Sequence, residues 1–196
     1  MKLIKNLRAM TRTKDSSTEN TNQRIHNWLE QHAQPDWISV DLTAGNGHDT
    51  LKLAQLTKKV IAVDIQPSAI DATQAKTKDY EHVHLYQMDH VNINEVVNDW
   101  VHLIIMNCGY LPNHDKSIKT TAETTLMALT KVERHLRIGG YFIITCYPGH
   151  RGGKKELETV QLWLGHHPNY EITIFDYPKP NTPITFIAKK LTMDSR

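Results

Sequence analysis

The chain is predicted to fold as an α/β protein around a seven-stranded, mostly parallel sheet that ends in an antiparallel hairpin. Three observations carry this. From residue 37 onward, short apolar runs rich in Val and Ile alternate with stretches of helical period. Within the first five runs the apolar residues are consecutive, as in strands covered on both faces. The last two runs, 172–177 and 184–189, have no helix between them and so pair with each other.

Taken in order, residues 1–24 read as a basic arm and linker, with 11–23 rich in Thr, Ser and Asn. Residues 25–196 read as a single domain, in keeping with the 196-residue length. A first helix carries Ile25, Trp28 and Leu29 at helical spacing, and 37–42 is a buried strand that runs into a Gly turn. A helix over 50–56 presents Leu51, Leu53, Ala54 and Leu56, and 60–64 is the second strand. Pro67 suits the first turn of the next helix, which runs to about residue 78, and 83–86 follows as the third strand. A short helix is expected around Val96 and Val97, then a fourth strand over 102–107. A long helix carries Ala122, Leu126, Leu129, Val132 and Leu136, with Gly139-Gly140 closing it. The fifth strand, 141–145, and a helix over 156–164 lead to the hairpin.

Composition narrows the classes. The formal charge is +2, from 23 Lys and Arg against 21 Asp and Glu, which excludes a strongly basic protein by total charge. The cations are nonetheless clustered: Lys2, Lys5, Arg8, Arg12 and Lys14 sit in an acid-free stretch, leaving 18 basic against 21 acidic residues elsewhere. No apolar run approaches the ~20 residues of a membrane span, and the first residues lack the apolar core of a secretory signal. Cys108 and Cys146 form no CxxC pair, as expected of a reduced, cytoplasmic protein. Twelve His residues show no HxxxH or HExxH spacing, so no metal is expected.

An α/β sheet closed by such a hairpin is the architecture of the class I methyltransferases, whose ligands lie at the carboxyl ends of the strands. The turn after the first strand reads Asp41-Leu-Thr43-Ala-Gly45-Asn46-Gly47-His48-Asp49-Thr50. Its glycines let backbone approach a ligand. A dinucleotide-binding turn would place a third Gly where Thr50 stands, and would not want the negative charge of Asp49. Asp41 and Asp49 suit a cationic amine, such as the methionine end of S-adenosylmethionine. Asp64, at the end of the second strand, can accept hydrogen bonds from both hydroxyls of a ribose. Asp89 and His90 follow the third strand, where an adenine amino group is met.

The fourth strand ends in Asn107-Cys108-Gly109-Tyr110-Leu111-Pro112. An amine attacks only through a free lone pair, so its N–H groups must be held by acceptors. The Asn107 oxygen and a neighbouring carbonyl can do this while Tyr110 stacks on a base. Cys108 reads as a packed residue. His150, Asp115 and Tyr147 are candidates to take the amine proton, and sequence does not choose among them. His114, Lys116 and Lys119 in one loop, with Arg151, Lys154 and Lys155 in another, are placed to hold phosphates.

Five segments occur together in this order: Asn-Gly-His-Asp-Thr (46–50), Asp-Ile-Gln (64–66), Asn-x-Gly-Tyr-Leu-Pro-x-x-Asp-Lys-Ser-Ile (107–118), Glu-Thr-Thr (123–125) and Tyr-x-Gly-His (147–150). Over about residues 36–190 the chain resembles the bacterial enzymes long labelled rRNA methylases, now understood as tRNA wobble-uridine methyltransferases. Near its end the chain has Pro178-Lys-Pro-Asn181-Thr-Pro183 where that family carries a longer Asn- and Pro-rich segment. The resemblance implies that S-adenosylmethionine is held by Asp41, Thr43, Gly45, Asn46, Gly47, His48, Asp49, Thr50, Asp64 and Gln66, with Asp89, His90, Asn107 and Gly109 completing the site. It implies catalysis by Asn107, Tyr110, Asp115 and His150, and substrate contacts from Tyr110, Pro112, Lys116, Tyr147, His150, Arg151 and Asn181. The substrate would be the aminomethyl nitrogen of 5-aminomethyl-2-thiouridine in a tRNA anticodon loop. A methyltransferase for another RNA base or a small amine, and a non-catalytic binding module, remain open, as does a homodimer.

Overall fold

A computed structural model describes residues 10–14, 19–111, 118–177 and 179–192. The elements in chain order are β1 (Met10–Lys14), α1 (Thr21–His32), β2 (Ile38–Asp41), α2 (His48–Leu56), β3 (Lys59–Asp64), α3 (Pro67–Thr77), β4 (Val83–Gln87), β5 (Val101–Cys108), α4 (Ala122–Val132), β6 (Leu136–Cys146), α5 (Gly153–Gly165), β7 (Tyr170–Asp176) and β8 (Ile184–Lys190). They form one sheet in the order β1-β7-β8-β6-β5-β2-β3-β4. Every pairing is parallel except β6–β8 and β7–β8, so the expected α/β sheet with its antiparallel hairpin is what forms. Among the described residues no helix is long and apolar enough to cross a membrane.

The consecutive apolar residues of the strands serve two cores. On β5, Ile104 and Met106 pack with α4 and α5 residues such as Leu129 and Trp163. Leu103 and Ile105 pack on the opposite face with Ile25 and Leu29 of α1 and Leu53 of α2. The chain runs β2-β3-β4 toward one edge and then returns to β5 beside β2. That reversal opens a crevice at the carboxyl ends of β2 and β5, the topological switch point where ligands bind in such sheets.

Four expectations are corrected. The sheet has eight strands instead of seven, because Met10–Lys14, read as part of an arm, pairs in parallel with β7. The edge of β7 offers backbone partners that no periodicity in 10–14 announces. Second, the helix carrying Leu129 and Val132 stops at Val132, and Leu136 begins β6. Gly139 and Gly140 lie inside β6, where the register slips between Val101↔Leu136 and Leu103↔Tyr141. Gly139 adopts φ +80°, and a Cβ on Gly140 would come within 2.9 Å of the His102 carbonyl, so the pair builds a bulge and not a helix cap. Third, the turn of helix expected at Val96 and Val97 is a 3-10 segment over His90–Glu95. The helix expected from residue 156 starts earlier, at Gly153.

A buried ion pair holds the far end of the hairpin. Lys190 Nζ donates to Glu133 Oε1 at 2.6 Å and to the Glu133 carbonyl at 3.2 Å, while the Tyr170 hydroxyl donates to the same carboxylate at 3.3 Å. Removing one charge strands the other in the core. Lys190→Met should therefore lower the unfolding free energy by about 3–5 kcal/mol in urea titration, and Lys190→Met with Glu133→Leu should recover most of it.

Candidate active site

The turn after β2 is shaped by a buried acid. Asp41 is fully buried, with Oδ1 accepting the Thr43 N–H at 3.1 Å and Oδ2 accepting the Thr50 hydroxyl at 2.6 Å. Burial, with Asp49 as a like charge nearby, pushes its carboxyl up to about 7. Gly47, at φ +76°, caps α2, and a Cβ there would come within 2.7 Å of the Thr73 backbone. Gly45 also turns left-handed, and its N–H donates to Asp64 Oδ2 at 2.9 Å. Asp64 Oδ1 accepts the Gln66 N–H at 2.9 Å, so this acid ties the two strand-end turns together.

Asn107, at the end of β5, is fixed at both ends. Its N–H donates to Thr43 Oγ1 at 2.8 Å, and its Nδ2 donates to Asp49 Oδ2 at 2.7 Å. Its Oδ1 is buried and has no hydrogen-bond partner. The following turn is held by Thr120, whose Oγ1 accepts the Gly109 N–H at 2.7 Å and donates to the buried carboxylate of Glu156. Thr125 donates to the same Glu156 oxygen at 3.0 Å. The other carboxylate oxygen of Glu156 lies 3.7 Å from His150 Nε2, and neither atom has a hydrogen-bond partner. His150 meets the ring of Tyr110 edge-on, with centroids 5.6 Å apart.

These residues enclose a cavity of about 590 Å³, within the range of small-molecule and cofactor sites. Of the expected residues, Thr43, Gly45, Asn46, His48, Asp49, Asp64, Gln66, Asp89, His90, Asn107, Gly109, Tyr110, Tyr147, His150 and Asn181 all line it. Asp41, Gly47 and Thr50 do not: they lie behind the wall and shape the turn, so direct ligand contact by Asp41 is corrected. Arg151 is also outside the lining and instead offers its carbonyl to Lys119 Nζ at 2.7 Å. Pro112, His114, Asp115 and Lys116 lie outside the described residues, as do Lys2, Lys5, Arg8 and Pro178. Arg12 pairs with Asp176 at 2.7 Å. Among the described residues no group of three or more His, Cys, Asp or Glu side chains could hold a metal ion.

Burial raises the Tyr147 hydroxyl, which therefore stays protonated. The adjacent Cys146 thiol and burial push Cys108 well up, so it is no nucleophile at neutral pH. Desolvation lowers His90, whose Nε2 is buried without a partner. Sequence reasoning missed His26, Glu156 and Thr120, which reach the site from separate elements and form no local motif. It also missed Asn22 and Ile65 in the lining.

The sheet order and the placement of this cavity define the class I methyltransferase fold. The chain belongs to the family described as "Putative rRNA methylase", which matches residues 60–188. A "putative rRNA-methylase" from Clostridium thermocellum is 30% identical with a TM-score of 0.83, covering 89% of this chain and 100% of its own. A "putative methyltransferase" from Streptococcus mutans, solved in complex with S-adenosylhomocysteine, is 30% identical with a TM-score of 0.79 over 89% of this chain and 100% of its own. The chloroplastic tRNA (mnm5s2U34)-methyltransferase of Arabidopsis thaliana is 38% identical over 68% of this chain. The match spans 55% of that protein's length.

The raised carboxyl of Asp41 sets a pH dependence. The folded state keeps a proton that the unfolded chain has released, so stability falls as pH rises from the ordinary carboxylate value toward about 7, then levels. Asp41→Asn mimics the protonated form. It should exceed the native chain by about 1–3 kcal/mol in urea unfolding at about pH 8, with the gap narrowing at about pH 5.

Proposed function

We propose that the protein is an S-adenosylmethionine-dependent N-methyltransferase whose substrate is the aminomethyl group of 5-aminomethyl-2-thiouridine at the wobble position of tRNA. The observation that carries the chemistry is the fixed amide of Asn107. Asp49 accepts from its Nδ2, which leaves Oδ1 as an unpartnered acceptor at the cavity wall. A primary amine acceptor needs such a group to hold its N–H and aim its lone pair. The name of the Arabidopsis relative supports the wobble uridine as the nucleoside.

The cavity fits the methyl donor. The left-handed Gly45 brings backbone to its edge without a Cβ, and the carboxylates of Asp64 and Asp89 stand at successive strand ends to meet a nucleoside. His90 Nδ1 lies 3.7 Å from Asp89 Oδ1, and its buried Nε2 has no hydrogen-bond partner. When bound, S-adenosylmethionine supplies a sulfonium methyl carbon and leaves as S-adenosylhomocysteine. The protein holds the amine in line with that carbon, and positioning of this kind is worth up to ~7–11 kcal/mol.

His150 takes the amine proton in this reading. Its Nδ1 lies 3.2 Å from the Arg151 carbonyl, and its Nε2 is turned toward the buried Glu156 carboxylate. The Glu156 carboxylate, 3.7 Å from Nε2, offsets the charge of the imidazolium so formed. Tyr147 cannot serve, because its burial keeps the phenol protonated. Tyr110 stacks with the base, and Lys119, Lys154 and Lys155 hold phosphates.

Nucleoside mass spectrometry of tRNA from cells lacking the gene should reveal accumulated 5-aminomethyl-2-thiouridine, and an unchanged profile refutes the substrate. Asn107→Ala should lower kcat at least about 100-fold with the unfolding midpoint retained. Log affinity for tRNA should fall linearly with log salt, and a flat response removes the phosphate contacts.

A further inference from the structure

Helix α1 reaches the reacting centre through one side chain. His26 Nε2 lies 2.7 Å from Asp49 Oδ1, and Asp49 Oδ2 lies 2.7 Å from Asn107 Nδ2. We propose that His26 is a positioning residue for the methyl transfer: through Asp49 it locks the Asn107 amide with Oδ1 toward the acceptor amine. This rests on the N-methyltransferase reading above.

The logic is one of donors and acceptors. The two ends of an amide side chain are nearly isosteric, so only its neighbours decide which end faces where. An ionised carboxylate accepts and never donates, so Asp49 compels Asn107 to turn Nδ2 toward it and Oδ1 away. The constraint lasts only while the carboxylate stays in place. Asp49 sits in the first turn of α2, whose cap residue Gly47 supplies no side-chain bond. The uncapped N–H groups of that turn are competing donors for a carboxylate so near. His26, donating to Oδ1 from outside the helix, holds Asp49 across the gap to β5.

The helix that carries the imidazole is anchored in the core. Ile25 and Leu29 anchor α1 with no exposed surface, and His26 is not part of that apolar contact. Asn22, one turn earlier, lines the cavity, so this face of α1 is the wall of the site. None of these residues lies within the 60–188 match to the family.

The test compares His26→Phe, which keeps a ring of similar size without the donor, with His26→Gln, which restores an N–H at similar reach. With saturating methyl donor and tRNA carrying 5-aminomethyl-2-thiouridine, kcat of His26→Phe should fall about 10–100-fold. KM for tRNA should stay within about twofold, and His26→Gln should recover most of the loss. In NMR spectra of the protein without ligands, the Asn107 side-chain NH2 should give one sharp pair of resonances that broadens in His26→Phe and returns in His26→Gln. A His26→Phe enzyme with native kcat, or an Asn107 NH2 signal unaffected by it, overturns the proposal. So does a loss of rate that follows a lowered unfolding midpoint and is not recovered by Gln. If the native protein leaves that tRNA unmethylated, the parent reading falls, and with it the role in transfer; the NMR comparison still decides whether His26 orients Asn107.

Discussion

In a parallel sheet the chain leaves every strand at the same edge, and there it must turn while its backbone N–H groups still need acceptors. Here acidic side chains meet that need. Asp41 accepts the Thr43 N–H, Asp64 the N–H groups of Gly45 and Gln66, and Asp89 that of Val91. The tips of β2, β3 and β4 are thereby fixed by carboxylates with lone pairs to spare. A carboxylate has about four acceptor positions, so one that ties down two N–H groups can still meet the hydroxyls of a nucleoside. In the proposed function Asp64 and Asp89 use the same atoms for turn formation and for ligand recognition, whereas Asp41 lies behind the wall.

The opposite wall has a different economy. Asn107 and Gly109 carry few acidic neighbours of their own and are held from elsewhere, by Thr43 and Asp49 on one side and by Thr120 and Glu156 on the other. Glu156 is nearly inaccessible to solvent, yet it collects two threonine hydroxyls and faces His150. This second carboxylate network links α4, α5 and the turn after β5. The result is a pocket with one wall local in sequence and the other assembled over long distances.

That difference explains what could be read from the sequence. The strands and the Gly45–Gly47 turn follow from continuous apolar runs broken by glycines, a signal contained within a dozen residues. Asp64 was legible because it falls at the end of the next such run. His26 and Glu156 were not, because an imidazole on an amphipathic helix and a Glu in a helix's first turn look like solvated groups until the fold brings partners to them. Asp41 was placed correctly in the turn, but its side-chain direction depends on Thr50, nine residues later. Gly139-Gly140 misled for a related reason: the pair closes a helix or makes a bulge equally well, and here the helix has already ended at Val132.

The pairing of β1 with β7 has a consequence for how the chain folds. Met10 lies opposite Ile172, so two strands far apart along the chain lie side by side. Helix α1, just after it, also touches that strand, since the Arg24 guanidinium rests 4.0 Å from the ring centre of Phe175 on β7. Contacts of such long range form late, because their loop-closure cost is met only after local units are in place. The units from β2 to β6 can therefore assemble with α1 packed on Leu53, Leu103 and Ile105, and the β1–β7 pairing closes afterwards.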